Sequence, residues 1–119
     1  MNDLDKIVVV SGYFNPLHTG HLDYLEGASQ LGNRLVVIVN NDHQVGLKGS
    51  ESFMPLAERL KIVGSLRCVS RAVPSIDRDG SVSQTLKSLF DMYLLQNDKS
   101  GWGGTVRSEE STSSQAIQV

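Results

Sequence analysis

The sequence predicts a single α/β domain in which a parallel sheet is flanked by helices. Two nearly continuous apolar runs rich in valine and isoleucine, residues 7–10 and 35–39, are typical of strands that are covered on both faces. Segments with apolar residues at helical spacing follow these runs, and this alternation favours parallel pairing with right-handed crossovers. Because ligands bind beyond the carboxyl ends of the strands in such sheets, we expect the functional residues in the loops that follow the strands.

Length and composition narrow the class of protein. The chain has 119 residues, which allow one hydrophobic core and one domain over residues 1–119. The net charge is −2 and lysine and arginine do not cluster, which argues against a nucleic-acid-binding surface. The apolar runs are too short to cross a bilayer, and the first six residues do not resemble a signal peptide. We therefore expect a cytoplasmic protein that binds small molecules, not nucleic acid or a membrane.

Five strands and three helices are predicted in alternation. Short β-branched or apolar runs predict the strands, over residues 6–11, 34–40, 67–73, 92–95 and 104–107. Apolar residues at helical spacing predict the helices, over residues 19–31, residues 55–66 and residues 81–90. The second strand is followed by a predicted loop over residues 41–53, and residues 115–119 are predicted to begin a further helix.

Each predicted helix has a recognisable start. Thr19 is the predicted N-cap of the first helix. Pro55 is predicted at the first position of the second helix, where its missing N–H has no consequence. Ser81 and Gln84 have the spacing of a capping box for the third helix.

The strongest functional signal is the stretch of residues 12–22, Gly-Tyr-Phe-Asn-Pro-Leu-His-Thr-Gly-His-Leu, between the first strand and the first helix. A helix start offers unpaired N–H groups and a partial positive charge, so α/β proteins hold phosphates there. His18 and His21, three residues apart, can both direct ring donors at one phosphate group. The alternative is a structural pair, one histidine capping the helix and the other half-buried, but the complete string is far rarer than two histidines at this spacing.

This stretch resembles the His-x-Gly-His signature of the cytidylyltransferase-like nucleotidyltransferase superfamily. The resemblance implies a Rossmann-like parallel sheet flanked by helices, of the nucleotidyltransferase α/β phosphodiesterase type. It is closest in pattern to heptose-phosphate adenylyltransferase and glycerol-3-phosphate cytidylyltransferase domains. The residues that the resemblance assigns to nucleotide binding are Gly12, Tyr13, Phe14, Asn15, His18, Thr19, Gly20 and His21.

Two cationic side chains after the second strand extend the resemblance. Lys48, in Leu-Lys-Gly, stands where the family commonly has a lysine that reaches phosphates or the phosphorylated substrate. Arg59, in the segment of residues 55–63, resembles the family's Glu-Arg helix, whose arginine contacts the triphosphate or the second substrate. The alternatives are a solvated loop lysine and a surface arginine paired locally with Glu58.

The end of the chain carries a weaker form of another family signature, Arg-x-x-x-Ser-Thr-Ser. Its counterparts here are Arg107, Ser111, Thr112 and Ser113. In the family these hydroxyls and the adjacent N–H groups hold the β- and γ-phosphates at a helix start. The alternative is a solvated serine-rich tail, which the composition alone favours.

Several departures from the family pattern concern the nucleotide end of the site. Asn15 stands where many members carry aspartate, and residues 97–104 contain no Gly-Gly-Asp-like segment. The spacing before the serine-rich stretch is compressed, so residues 97–119 read as a compressed or degenerate C-terminal part. The residues therefore leave CTP and ATP both open.

The resemblance implies transfer of a nucleoside monophosphate from CTP or ATP to a phosphorylated alcohol or sugar, with release of pyrophosphate. It assigns catalytic roles to His18, His21, Lys48 and Arg59, Mg²⁺ as the ion that accompanies the nucleotide, and a homodimer as the family's habit. We expect no metal held by the protein, because His43 lies in a polar stretch and no ligand pattern accompanies the histidines. The competing hypothesis is a non-catalytic nucleotide-binding module with an eroded C-terminal lid.

Overall fold

A five-stranded sheet with the order β3-β2-β1-β4-β5 forms the centre of the protein. The structure, a computed structural model, describes residues 6–97, 105–108 and 117–118. The strands are β1 (Ile7–Gly12), β2 (Arg34–Val39), β3 (Arg71–Pro74), β4 (Thr105–Ser108) and β5 (Ile117–Gln118). The helices are α1 (Thr19–Ser29), α2 (Asp42–Leu47), α3 (Leu56–Gly64) and α4 (Ser83–Asn97).

The strand pairing confirms the predicted α/β fold class. Strand β1 pairs in parallel with β2 on one side and with β4 on the other, and β2 pairs in parallel with β3. Gly12 at the end of β1 lies opposite Val39 at the end of β2, and the carbonyl of Gly12 accepts a hydrogen bond of 2.9 Å from the N–H of Asn40. The loops after β1 and β2 therefore leave the sheet side by side.

The helices form one layer on each face of the sheet. Val8 and Val10 of β1 pack in a cluster with residues of α1 and α3, whereas Ile7 and Val9 pack in a second cluster with Leu89 and other residues of α4. Every residue of β1 is buried. This burial on both faces explains why the strand is a continuous apolar run instead of an alternating one.

Helix α2 lies within the segment that is predicted as a loop. Its N-cap Asn41 accepts a hydrogen bond from the N–H of Gln44, and the Gln44 side chain accepts from the N–H of Asn41. This reciprocal pair is a capping box, and the Asn-x-x-Gln spacing is visible in the sequence. The glycines at residues 46 and 49 favoured a loop in the prediction, but the capping box starts a short helix at this point.

The second half of the chain departs further from the predicted elements. Residues 92–95, predicted as a strand, lie in α4, because Leu89 and Tyr93 continue the helical spacing into the core cluster. The two residues of β5 lie in the segment predicted to begin a helix, and they pair antiparallel with β4. Strand β3 begins at Arg71, four residues later than predicted, since the N–H of Val69 still closes a turn onto the carbonyl of Leu66.

The residues that cap the helices differ from the predicted ones. Thr19 is the first residue of α1 and His18 is its N-cap, while Pro55 is the N-cap of α3. At α4 the capping acceptor is the buried carboxylate of Asp77, which accepts from the N–H groups of Gln84 and Thr85, each at 2.9 Å. A carboxylate is favoured there because it meets unpaired N–H groups and the positive end of the helix dipole.

We predict that Gly32→Ala destabilises the protein by about 1–3 kcal/mol, as overpacking does at rigid sites. A Cβ at Gly32 would lie 2.3 Å from the carbonyl oxygen of Lys6 and 2.9 Å from Val8 Cγ2. That carbonyl cannot move away freely, because it accepts hydrogen bonds from the N–H groups of Asn33 and Arg34. Urea denaturation would measure the loss.

Gly27→Ala is the matched control for this substitution. Gly27 lies inside α1, and a Cβ there meets nothing within 4 Å. Alanine should therefore stabilise the protein by up to about 1 kcal/mol through helix propensity. Equal effects of the two substitutions would show that the close approach of Gly32 to Lys6 is not a constraint.

Candidate functional site

A cleft of about 250 Å³ lies at the carboxyl ends of β1 and β2. One side of it is the loop between β1 and α1, and the other is formed by α2 and the segment that leads to α3. Its lining residues are Tyr13, Phe14, Asn15, Pro16, His18, His21, Val45, Lys48, Ser50 and Phe53. The cleft thus brings together three of the four side chains that the sequence predicted to be catalytic, namely those of His18, His21 and Lys48.

His18 and His21 cap helix α1 reciprocally through one nitrogen of each ring. Nδ1 of His18 accepts a hydrogen bond of 3.0 Å from the N–H of Gly20, and Nδ1 of His21 accepts one of 3.1 Å from the N–H of His18. The rings stack with their centroids 3.8 Å apart and their planes 24° from parallel. A ring nitrogen that accepts a hydrogen bond carries no proton, so these partners assign the ring proton of each neutral histidine to Nε2.

The structural and the functional interpretations of the two histidines are therefore compatible. Capping uses Nδ1 of each ring, the neutral rings carry their proton on Nε2, and both residues line the cleft. Gly20 permits this arrangement, since a Cβ there would lie 2.9 Å from Cε1 of His18. The N–H of Gly20 is already bonded to His18, so the phosphate donors expected at this helix start are ring N–H groups and not that amide.

Phe14 has a strained backbone conformation. It lies in the loop between β1 and α1 that carries the histidine signature, which we call the signature loop. Its φ is 52°, in the left-handed region that large side chains rarely adopt. Its ring is buried in the core and meets the ring of His21 edge-on, with the centroids 5.1 Å apart. Strain of this kind costs about 1–3 kcal/mol, persists where packing over-determines it, and is concentrated at functional sites.

Asn15 joins the signature loop to the opposite wall of the cleft. Its Nδ2 donates to the carbonyl of Glu51 at 2.8 Å, and its Oδ1 accepts from the N–H groups of Phe53 at 2.8 Å and Met54 at 3.3 Å. An ionised aspartate could accept but could not donate. Asn15, which stands where many family members carry aspartate, is therefore suited to a cross-link that needs both a donor and an acceptor.

Lys48 follows the last residue of α2 and is exposed within the cleft. Its Nζ lies 4.1 Å from the centroid of the Tyr13 ring, a cation–π contact. The ammonium group thus contacts an aromatic ring of the same cleft, while the Lys48 side chain stays exposed to water. Lys48 therefore lines the same cleft as His18 and His21.

Arg59 has a different place from the one that the resemblance implied. Its side chain is completely buried, and four of its five N–H donors are bonded within the protein. Nε donates to the carbonyl of Met54 at 2.9 Å, and Nη1 donates to the carbonyls of Tyr13 at 2.9 Å and Asn40 at 2.6 Å. Nη2 pairs with Oδ1 of Asp42 at 2.6 Å.

These bonds correct the expectation that Arg59 touches the triphosphate or the second substrate. The guanidinium faces backbone carbonyls and one carboxylate instead of the cleft, and the local pairing with Glu58 that was the alternative is not what holds it. Arg59 ties the segments after β1, after β2 and before α3 to one another. In this structure it positions the walls of the cleft.

Asp42, the partner of Arg59, has a lowered pKa. Partial burial raises the pKa of this carboxyl, but hydrogen bonds from Arg59, from the N–H of Leu56 and from the Ser52 hydroxyl oppose burial and lower the pKa overall. The folded state therefore favours the ionised form more than the unfolded chain does. The Asp42 side chain is 49% exposed, so water weakens the effect.

We predict that the unfolding free energy acquires an acid dependence from Asp42. A group whose pKa is lowered by folding stabilises the protein above its unfolded pKa, about 4, and this contribution is lost as the pH falls through the lower folded pKa. The difference in unfolding free energy between the natural chain and Asp42→Asn should be constant above about pH 5 and should shrink below it. Urea titrations from about pH 3 to pH 7 would measure it, and a difference independent of pH would contradict the assignment.

The remaining predicted site residues do not line the cleft or lie outside the described residues. Arg107 lies in β4, paired in register with Val10 of β1, and so on the side of β1 opposite to β2. Ser111, Thr112 and Ser113 lie outside the described residues. Gly12 ends β1, and Thr19 is exposed at the start of α1.

The part of the chain that the structure describes contains no candidate metal site. There, no group of three histidine, cysteine or acidic side chains is arranged to hold a metal ion. His43 is exposed on α2 and does not line the cleft. Within the same residues, no helix is long and apolar enough to cross a membrane.

Four lining residues are not among the predicted site residues, namely Pro16, Val45, Ser50 and Phe53. The capping box at Asn41 could have identified α2, and with it the inward position of Val45. Phe53 carried no pattern of its own, because its place depends on the long-range hydrogen bonds of Asn15.

Comparisons with known proteins support the resemblance. The chain is 46% identical over 72 residues to the bifunctional protein HldE of Halorhodospira halophila and 43% identical over 72 residues to that of Sodalis glossinidius. Each alignment covers 59% of this chain and 15% of the relative, so the chain matches a small part of these longer proteins.

A solved structure and a family model extend the comparison to most of the chain. The lipopolysaccharide core biosynthesis protein of Thermoplasma volcanium superposes with a TM-score of 0.67 at 27% identity, over 80% of this chain and 86% of that one. The cytidylyltransferase-like family model matches residues 9–100, which include most of β1, the histidine signature, Lys48 and Arg59. The chain therefore belongs to the cytidylyltransferase-like family.

Proposed function

We propose that this chain transfers a nucleoside monophosphate from CTP or ATP to a phosphorylated alcohol or sugar and releases pyrophosphate. The observation that carries the proposal is the stacked histidine pair, which lines the cleft with two ring N–H donors while its other nitrogens cap α1. Membership of the cytidylyltransferase-like family supports the same class of reaction. The histidines thus supply a fixed pair of donors where a phosphate chain would lie.

The proposed reaction is a single in-line displacement. A phosphate oxygen of the acceptor attacks the α-phosphorus of the nucleotide, the new P–O bond forms, and the bond from the α-phosphorus to the bridging oxygen breaks. Pyrophosphate leaves with that electron pair. The acceptor phosphate is already an anion at neutral pH, so no general base is required, and catalysis consists of positioning and stabilisation of charge.

The described residues have separate parts in this step. His18 and His21 donate from Nε2 to phosphate oxygens whose charge increases in the transition state. Lys48 neutralises the acceptor phosphate, because it belongs to the wall that follows β2. The far phosphates extend toward β4, the strand that contains Arg107.

Mg²⁺ enters the proposal as part of the nucleotide substrate. The described cleft is lined by ring donors, an ammonium group and apolar side chains, with no carboxylate. This set does not fit a magnesium ion held by the protein, since Mg²⁺ prefers carboxylate and phosphate oxygens. The ion would therefore be bound by the phosphates and by water, and no step above depends on it.

Pyrophosphate release tests the proposal. The purified chain is incubated with CTP or ATP in combination with glycerol 3-phosphate or with sugar 1-phosphates, in the presence of Mg²⁺. Release that requires both a nucleotide and an acceptor is the expected result. Nucleotide binding without release, with every pair, would favour the non-catalytic module instead.

We predict that Lys48→Ala raises the KM for the acceptor more than it lowers kcat. The ammonium group attracts the acceptor phosphate in the ground state and the transition state alike, so its loss removes uniform binding. A lost hydrogen bond to a charged group corresponds to roughly a 10- to 100-fold rise in KM. Steady-state kinetics at saturating nucleotide would measure it.

Lys61→Ala provides the control for that experiment. Lys61 is exposed on α3 and is not among the residues that line the cleft, so its removal should leave both constants unchanged. A fall in kcat with an unchanged KM for Lys48→Ala would instead assign Lys48 to the transition state.

A further inference from the structure

Gln44 on α2 has a completely buried side-chain amide that bonds in two directions. Its Oε1 accepts from Nδ2 of Asn40 at 3.0 Å and from the N–H of Asn41 at 3.1 Å. Its Nε2 donates to the carbonyls of Asp79 at 2.7 Å and Ser81 at 2.8 Å. These bonds use both donors and both acceptor positions of the amide, which is the full capacity of a glutamine side chain.

Asn41, the N-cap of α2, makes a second link in the same direction. Its Nδ2 donates to the carbonyls of Ser75 and Asp77, each at 3.0 Å. The amide N–H groups of Asn41 and Gln44 thus join α2 to residues 75–81, which lie between β3 and α4. The capping box of α2 uses only the oxygens of the two amides, so capping alone does not require an amide at either position.

Residues 75–81 give these bonds a firm support. The N–H of Ser75 donates to the carbonyl of Val39 at the end of β2, at 2.9 Å. The buried carboxylate of Asp77 accepts from the N–H of Thr85 at 2.9 Å and from its hydroxyl at 2.6 Å, at the start of α4. None of residues 75–81 lines the cleft, so their bonds to the two amides reach the cleft through α2.

Helix α2 carries Lys48 to the cleft and has little else to fix its position. It has six residues, and of its two buried side chains, those of Gln44 and Val45, only the second is apolar. A helix of this length is marginal by itself, so its place depends on its contacts. The N–H of Lys48 donates to the carbonyl of Gln44 at 3.2 Å, one turn earlier, and Nζ of Lys48 lies 4.1 Å from the centroid of the Tyr13 ring.

We infer that Asn41 and Gln44 are positioning residues that act through Lys48. Their amide N–H groups hold α2 against residues 75–81 and thereby keep the ammonium group beside Tyr13 in the cleft. The part of Lys48 in binding the acceptor rests on the proposed function, whereas its place beside Tyr13 does not. If the two amides only stabilised the fold, Lys48 would keep this place in every variant that folds.

Two substitutions remove amide donors and keep the capping box. Asn41→Ser retains a preferred N-cap, and Gln44→Glu retains the oxygen that accepts from the N–H of Asn41. The serine hydroxyl has one proton and cannot serve two carbonyls, and a neutral glutamic acid can donate to only one. The ring current of Tyr13 shields nearby protons, so ¹H–¹³C NMR of the Lys48 methylene group next to Nζ reports its place. Both substitutions should shift this signal toward that of a free lysine side chain, while circular dichroism shows a folded protein.

Asn33→Ser is the matched control for this measurement. The exposed Asn33 side chain accepts from the N–H of Lys6 at 3.0 Å and precedes β2, at the end of the sheet opposite to the cleft. Its substitution should leave the Lys48 signal unchanged. An unchanged Lys48 signal in folded Asn41→Ser or folded Gln44→Glu would overturn the inference, and if Gln44→Glu does not fold, Asn41→Ser decides alone.

A double-mutant cycle with Lys48→Ala distinguishes positioning from a general loss of stability. Asn41→Ser should raise the KM for the acceptor by roughly 2- to 10-fold, a modest coupling for linked residues, and should raise it no further when Lys48 is already alanine. An equal rise in both backgrounds would overturn the inference and leave the proposed function intact. Absence of turnover in the natural chain would count against the proposed function, and the NMR measurement would then decide the inference by itself.

Discussion

His18→Asn and His21→Gln should each lower kcat by roughly 10²–10³-fold while the protein remains folded. Asparagine is among the best N-cap residues, and glutamine is a usual partner at the third position of a capping box. Both substitutions keep an acceptor for the N–H group that Nδ1 now caps, but they remove the ring and its Nε2–H donor. They therefore separate the structural role of each histidine from the proposed catalytic one.

Alanine would not make that separation. His21→Ala removes the acceptor of the His18 N–H group and should lower the unfolding free energy by about 1 kcal/mol in addition to its effect on turnover. His43→Asn serves as the control, because His43 is exposed on α2 outside the cleft. Normal turnover in His18→Asn and His21→Gln, with an unchanged melting curve, would restrict both histidines to capping.

Arg59→Met should destabilise the protein more than any of the other substitutions. It leaves the buried carbonyls of Tyr13 and Asn40 without their donor and Asp42 without its partner. A buried acceptor that is left without a donor costs about 1–3 kcal/mol, so the loss at these carbonyls is a large part of the roughly 5–15 kcal/mol that stabilises an ordinary domain. The Asp42 pair adds less, because the Asp42 side chain is 49% exposed. Circular dichroism during urea denaturation would show a much earlier transition or a largely unfolded protein.

Two further variants serve as controls for Arg59→Met. Lys61→Met places the same side chain on the same helix at an exposed position and should change the unfolding free energy little. Arg59→Lys keeps the charge but cannot reach four acceptors in a planar arrangement, so it should remain strongly destabilised. An Arg59→Met protein that is fully stable and has lost nucleotide binding would return Arg59 to the substrate-contacting role that the family resemblance implied.

The parts of the fold that depend on local patterns could be predicted from the sequence. The apolar runs at residues 7–10 and 35–39 became β1 and β2 because a strand that is buried on both faces has no polar alternation. The prediction of a strand over residues 92–95 is wrong, since a short apolar run suits a strand or a buried helix equally well. Packing of Tyr93 against the sheet decides for the helix, and that contact is not encoded locally.

The candidate site shows the same division between local and long-range causes. The histidine signature identified the place of the cleft, but the division of each ring between a capping nitrogen and a donor nitrogen needs coordinates. The place of Arg59 depends on Tyr13 and Asn40, which are 46 and 19 residues away in the chain. Helical spacing alone could not show which groups Arg59 would meet.

The central claim is that each signature histidine uses Nδ1 for the helix and Nε2 for phosphate, and ¹⁵N NMR of the histidine rings tests it most directly. In the free protein, the spectra of the neutral rings of His18 and His21 should show the tautomer protonated at Nε2. Addition of CTP or ATP with Mg²⁺ should shift the Nε2 signals of both rings and leave those of His43 unchanged. Protonation at Nδ1 in the free protein, or Nε2 signals that do not respond at saturating nucleotide, would contradict the account.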